Sequence, residues 1–259
     1  MTARPPGSAR LFRAACLAHA TTPAFVRRVA EASAVIAAMR AAGRRPYVAV
    51  SGGKDSAVAL HLVRAQVPEA PAVHSDDEWL LPETEAYLAT IPGLVRLARR
   101  RQHADWFTAW AAGRPAVLPP GTEWIERLEH DSAMGTWARA HGCDTAVIGL
   151  RAEEAGHRRV HLAQGPLCRW VAARGMWHAY PLAWWRTRDV WAYLLSRGVP
   201  YNAAYDRMRA LGWAERDQRI GPFAVEAVVA QGQLARLREG WPAVFAAFAA
   251  RYPEARGYA

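Results

Sequence analysis

The chain is poor in lysine, asparagine and cysteine. Of its 33 lysine and arginine residues only Lys54 is a lysine, and Asn202 is the only asparagine. The three cysteines, Cys16, Cys143 and Cys168, form no C-x-x-C pair and no metal-ligand spacing. That argues against a disulfide framework or a zinc site and for a reducing compartment. No apolar run reaches the ~18 residues of a membrane span. No secretory pattern opens the sequence, so a cytoplasmic location is expected. Residues 1–21 lack acidic side chains and are rich in Pro, Ala and Arg; a flexible basic arm is expected there, with a transit peptide as the alternative.

What is abundant is arginine. The formal charge is +10 and the pI about 10.2 in 259 residues. Such a surplus suits polyanionic partners, ATP or weakly bound nucleic acid, although an arginine-rich coding background accounts for it equally well. Against that background a retained lysine marks a place where a compact point charge is needed, as at a phosphate. Lys54 lies in Ser51-Gly52-Gly53-Lys54-Asp55-Ser56, after the apolar run Tyr47-Val48-Ala49-Val50 and before the apolar stretch 57–63. The pattern predicts strand, tight turn and helix. Glycines allow a sharp turn and close ligand approach, and the amides of Gly53 to Ser56 at a helix N-terminus form an anion site. Lys54 is expected to be an exposed loop lysine. The loop is not a Walker A motif, because Val48 stands where that pattern has its first glycine.

This hexapeptide resembles the PP-loop of ATP pyrophosphatases, which cleave ATP between the α- and β-phosphates. Further stretches resemble the branch that holds phosphoadenosine phosphosulfate reductases, ATP sulfurylase small subunits and DNA phosphorothioation enzymes. The segment Asp76-Asp77-Glu78-Trp79-Leu80-Leu81-Pro82-Glu83-Thr84 is similar to D-T-G-x-x-F-P-E-T, with Asp77 and Glu78 in place of Thr-Gly. Three successive carboxylates beside a phosphate would need a cation, so Mg²⁺ on Asp76 or Asp77 is expected. A solvated acidic turn leading into a helix at Pro82 is the plainer reading for Glu78. The segment from Gly149-Leu150-Arg151 through Glu154 to Arg158 is similar to G-x-R-x-x-E-S-x-x-R, with Ala155 in place of the serine. The resemblance implies that Arg151 and Arg158 meet polyphosphate and that Glu154 orients a guanidinium. Residues 177–206 resemble P-I-x-x-W-x-x-x-D-V-W-x-Y-L … P-Y-N-x-x-Y-D, with Thr187 a cap for a helix to Arg197. Most of these residues are packing; Asp189 and Asn202 offer more.

The departures limit the resemblance. Thiol-dependent reductases of this branch carry a nucleophilic cysteine in a Glu-Cys-Gly-Leu-His tail, whereas no cysteine follows Cys168 here. A reductase without that thiolate lacks the atom that attacks sulfur.

The expected fold is α/β: a doubly wound, mostly parallel sheet of the adenine nucleotide alpha hydrolase type. Strands are expected at 46–50, 71–74, 94–97 and 145–149, and helices at 22–42, 56–66 and 123–140. The division expected is an arm at 1–21, a PP-loop domain at 22–202 and a helical extension at 203–259. The expected function is ATP cleavage at the α,β bond, adenylating an unknown acceptor and releasing pyrophosphate. Lys54, Arg151 and Arg158 are the catalytic candidates. Ser51, Gly52, Gly53, Lys54, Asp55, Ser56, Asp76, Gly149 and Glu154 are the nucleotide contacts. A sulfur-carrier partner and a homo-oligomer remain open. Two alternatives stand beside this: phosphoadenylyl-sulfate reduction with a thiol from Cys143, Cys168 or a partner, and a nucleotide-dependent nucleic-acid-binding module using Arg99, Arg100 and Arg101.

Overall fold

Short apolar runs, each buried on both faces, build the centre of the molecule. In the computed structural model, which describes residues 8–76, 79–97, 133–221 and 232–259, strands β1 (Pro46–Ala49), β2 (Ala72–Ser75) and β4 (Thr145–Val147) are largely buried. This is the pattern of strands covered from both sides. With β3 (Leu94–Leu97), β5 (Cys168–Val171) and β6 (Met176–Ala179) they form one sheet of order β3-β2-β1-β4-β6-β5. The first five strands in that order are parallel, and β5 runs antiparallel to β6. Val48 pairs with Ala72 on one side and Val147 on the other.

The chain moves outward from β1 through β2 to β3, then returns to lay β4 against the free side of β1. The reversal leaves a crevice at the carboxyl ends of β1 and β4, where open α/β sheets bind ligands. One face of the sheet is covered by α2 (Pro23–Ala41) and α3 (Lys54–Arg64), with α7 (Thr187–Arg197) packed on α3. Against the other lies α5 (Ala133–Ala140), which closes a smaller core with Tyr47, Val73, Ala146 and Met176. The α2 start follows its sequence signals: Thr22 Oγ1 accepts the Phe25 amide at 3.3 Å, and Pro23 opens the helix. Among the described residues the remaining α-helices are α4 (Pro82–Ala89), α6 (Gly156–Ala163), α8 (Ala204–Ala210), α9 (Gln233–Gly240) and α10 (Pro242–Arg251).

Three features differ from the sequence expectations. Ser8–Ala20, inside the stretch expected to be a flexible arm, forms helix α1 and packs along α7. Phe12 meets Trp191 edge to face at 5.7 Å, Cys16 is buried, and His19 pairs with Asp189 at 2.5 Å. A basic, Ala-rich composition hid an amphipathic face whose partner lies some 170 positions away. The β5–β6 hairpin is absent from the sequence expectations: residues 168–171 carry no strand expectation, and those from Trp177 onward are expected to pack. The expected strand 145–149 stops at Val147. Of the helix expected at 123–140, Trp124 and Leu128 lie outside the described residues, as do Asp77, Glu78 and Arg99, Arg100 and Arg101.

Beyond residue 203, Leu234, Leu237, Trp241 and Phe248 join the same apolar cluster as α3 and α7. Trp79 packs edge to face on Phe248 at 5.3 Å, tying the segment after β2 to α10. Among the described residues no helix is long and apolar enough to cross a membrane.

Candidate functional site

The crevice is built by two loops that touch. After β1 the chain turns at Gly52, whose φ of +78° is one that side-chain-bearing residues rarely adopt. A Cβ there would also sit 2.8 Å from the Thr84 methyl. After β4, Gly149 passes so close to the first turn of α3 that a Cβ would lie 2.9 Å from the Asp55 carbonyl group. Both glycines are therefore required by contact as well as by any ligand. Ser51 and Ser56 close the turn on itself: Ser56 Oγ donates to Gly53 O at 2.9 Å and accepts the Ser51 amide at 3.2 Å. Ser51 Oγ accepts the Gly53 amide at 3.3 Å. The Lys54 amide donates to the Tyr205 hydroxyl at 3.2 Å. The helix N-terminal donors left for an anion are those of Asp55 and Ser56.

Lys54 is buried, 7% exposed, which corrects the expectation of an exposed loop residue. Its Nζ lies 3.2 Å from Asp55 Oδ2 and 5.2 Å from the centre of the Tyr205 ring. Asp55 faces a second cation, with Oδ1 2.6 Å from Arg151 Nε. That contact is an ion pair without hydrogen-bond alignment. Arg151, 2% exposed, is further held by Glu153 Oε2 at 2.8 Å and Thr187 Oγ1 at 3.2 Å. Burial lowers its pKa, but Asp55, Glu154 and Glu153 outweigh that and keep the guanidinium charged. Glu153 in turn accepts the Thr187 amide at 2.6 Å and hydroxyl at 2.8 Å. Thr187 is thus the first residue of α7 rather than its cap; Arg186 occupies that place.

Within 149–158 Glu154 engages a guanidinium as expected, and it is that of Arg158. The same Glu154 Oε2 accepts the Arg151 backbone amide at 3.1 Å. The guanidinium of Arg151 belongs instead to Asp55 and Glu153, and Glu153 was not singled out in the sequence because the resemblance aligned its neighbour. Arg158, on α6, keeps a side chain 36% exposed and stands apart from the buried group.

Asn202 and Tyr205 enter the loop from 150 residues downstream. Asn202 is fully buried. Its Nδ2 donates to Gly52 O at 3.1 Å and Thr84 Oγ1 at 2.8 Å, and its Oδ1 accepts the Ala204 amide at 2.9 Å. Burial raises the pKa of Tyr205, the Asp55 charge adds to the rise, and the hydroxyl stays neutral. Asp189 has a different role: it accepts the Arg186 amide at 2.7 Å and anchors His19 of α1.

Asp76 does not join the loop residues. Arg96 Nε donates to both its oxygens, at 2.9 and 3.2 Å, while the same guanidinium engages Glu85. Its carboxylate charge is matched by an arginine, and among the described residues no group of three or more His, Cys, Asp or Glu side chains could hold a metal. Asp76 is thus engaged by Arg96, and Asp77 lies outside the described residues. Burial pushes the thiols of Cys143 and Cys168 up in pKa, with Arg45 and Arg44 opposing, so neither is a thiolate at neutral pH. A separate polar cluster joins α6 to β6. The Tyr180 hydroxyl is shared by His161 Nε2 at 3.1 Å and His178 Nδ1 at 3.0 Å. Burial, with Arg174, His161 and Arg169 adding to it, lowers His178 to about 4.

Comparison with known proteins agrees with this layout. A family model described as the phosphoadenosine phosphosulfate reductase domain matches residues 45–212. Phosphoadenosine 5'-phosphosulfate reductase of Yersinia enterocolitica is 31% identical over 161 residues, 61% of this chain and 64% of the relative. That of Pectobacterium carotovorum is 30% identical over the same shares. The match therefore spans less than two thirds of these relatives. Among solved structures, phosphoadenylyl-sulfate reductase from Candida auris superposes with a TM-score of 0.52 at 17% identity, covering 75% of this chain and 89% of that one. Candida glabrata FMN adenylyltransferase in complex with ATP gives 0.50 at 14%, covering 76% and 66%. These two likenesses establish the fold. With the family model spanning well over half its length, including both loops of the crevice and the Asn202–Tyr205 segment, the chain belongs to the phosphoadenosine phosphosulfate reductase domain family.

Proposed function

We propose that the protein binds ATP at residues 51–56 and cleaves it between the α- and β-phosphates, adenylating an acceptor. A nucleophilic oxygen of the acceptor attacks the α-phosphorus. The bond from that phosphorus to the α,β-bridging oxygen breaks, and pyrophosphate leaves with the electron pair. The observation that carries this reading is Lys54, the only lysine of the chain, on the first turn of α3 directly after the 51–53 turn. Its ammonium and the amides of Asp55 and Ser56 hold the departing pyrophosphate, which is electrostatic work suited to phosphoryl chemistry. Arg158, at the rim beside Glu154, reaches outward to incoming phosphate. Arg151 acts from behind by fixing Asp55. No step is assigned to Mg²⁺, since Asp76 is occupied by Arg96. The adenylated acceptor is open to attack by a persulfide on a carrier protein, displacing AMP. Incubation with ATP and a panel of acceptors tests the reading: pyrophosphate with AMP or an adenylated product is expected, and ADP with orthophosphate refutes it.

The name of the relatives supplies a second reading, phosphoadenylyl-sulfate reduction. Both partly buried thiols have raised pKa values, so this chemistry calls for a thiol from a partner. Sulfite released from phosphoadenosine phosphosulfate with thioredoxin makes the adenylation reading wrong; its survival in Cys168→Ser and Cys143→Ser assigns the thiol to the partner, and its loss assigns it to this chain.

A further inference from the structure

The proposed loop chemistry does not account for why the only asparagine of the chain and a fully buried tyrosine converge on a turn 150 residues upstream. We propose that Asn202 and Tyr205 are positioning residues of the phosphate loop, which hold its backbone open toward pyrophosphate; this rests on the phosphate reading of residues 51–56.

A loop that binds an anion through its amides must turn its carbonyls away from the ligand. A carbonyl turned into the protein must then find a donor there. Asn202 supplies that donor to Gly52 O. The orientation of its amide is fixed, because Oδ1 takes the Ala204 amide and the second Nδ2 hydrogen goes to Thr84 Oγ1. Aspartate at 202 would place an acceptor against the Gly52 carbonyl, leaving only the Thr84 hydroxyl able to turn and donate, and serine would not reach both. Asn202 therefore sets the direction of one peptide in the turn.

Tyr205 sets the next element. Its hydroxyl takes the Lys54 amide, and its ring lies under the Lys54 ammonium at 5.2 Å. Both ends of the lysine are thus held by one side chain, and neither contact needs a ligand to be present. Thr84, on the first turn of α4, completes the arrangement by bonding Asn202 and packing its methyl group against Gly52. The segment 200–206 is in effect the outer wall of the phosphate loop.

The experiment uses the full chain, with pyrophosphate as the probe in calorimetry and thermal unfolding without ligand as the control. Tyr205→Phe removes the hydroxyl and keeps the ring. Loss of one neutral hydrogen bond predicts a Kd for pyrophosphate about fivefold weaker. The Tm should fall by no more than about 4 °C. Asn202→Asp should weaken binding further, by about tenfold or more, because it sets a charged acceptor against the Gly52 carbonyl. If Asn202→Asp fails to fold, Thr84→Val, which removes only the acceptor beside Asn202, takes its place with an expected loss of two- to fivefold, on the order of one hydrogen bond. Unchanged affinity in Tyr205→Phe and in the second variant overturns the positioning role, as does weakening seen only alongside a large loss of Tm. A wild type that binds neither pyrophosphate nor ATP rejects the phosphate reading itself, which is a separate failure.

Discussion

Two networks of charge flank β1 and β2 at their carboxyl ends, and they differ in burial more than in composition. Around the loop, Lys54, Asp55, Arg151 and Glu153 are linked by contacts of 2.6 to 3.2 Å, with both cations under 8% exposed and the Glu153 side chain, 42% exposed, reaching water. On the β2–β3 side, Asp76, Arg96 and Glu85 make contacts just as short, with the Arg96 and Glu85 side chains 36% and 50% exposed. From the sequence, Lys54, Asp55 and Arg151 of the first network and only Asp76 of the second are expected as nucleotide or metal ligands. A buried pair is costly to break because the survivor stays desolvated, whereas an exposed pair returns to water. The first network thus specifies the geometry of the crevice, and the second serves as a solvated clasp between α4 and the sheet edge.

The comparison is broken most directly by Arg151→Ala. It leaves Asp55 and Glu153 without their shared cation, and a loss of about 3–5 kcal/mol in urea denaturation is expected. Stability close to wild type in that variant would show that the buried network holds nothing.

The second test asks whether burial acts alike on a neutral group. His178 sits at about 4 in the folded protein against an ordinary 6.5. The unfolded chain therefore binds the extra proton first. Stability is full above pH about 6.5 and is lost as pH falls toward about 4, by at most about 3 kcal/mol. His178→Gln should flatten that part of the stability profile; an unchanged slope would assign it to other groups.

Lys54→Ala sharpens the comparison on the side of function. Loss of one charge-assisted phosphate contact predicts ATP binding weaker by about 10- to 150-fold, or 1.5–3 kcal/mol, in calorimetry. Asp55 keeps Arg151, so the fold should persist. Unchanged nucleotide affinity would sink the phosphate assignment.

The smallest effect belongs to the exposed network. Arg96→Ala should cost about 1 kcal/mol or less and shrink further in high salt. Glu85, held below its ordinary pKa by its hydrogen bond to Arg96, should lose its small contribution as pH falls through the carboxylate range. A cost as large as that of Arg151→Ala would erase the distinction between the two networks.

Much of the site was legible because it is local. The turn at 51–56 joins a strand and a helix through glycine, serine and one retained lysine, and each choice follows from backbone geometry and charge. Glu153 was missed beside Glu154, since which of two adjacent carboxylates faces Arg151 depends on the 3₁₀ turn at Ala152–Glu154 and on where α7 begins. The reach of Asn202 and Tyr205 into the loop was invisible for a similar reason: their partners lie in the turn after β1 and at the start of α4, more than 100 positions upstream.

By itself the sequence determined the parallel α/β core, the strand–turn–helix around residues 51–56 and the family to which the chain belongs, because short-range periodicity and turn chemistry encode them. Only the tertiary structure decided which charges are buried, that residues 8–20 form a packed helix, and that Asp76 answers to Arg96. Those outcomes depend on desolvation and on contacts between residues far apart in the chain. Neither quantity is carried by any local stretch of sequence.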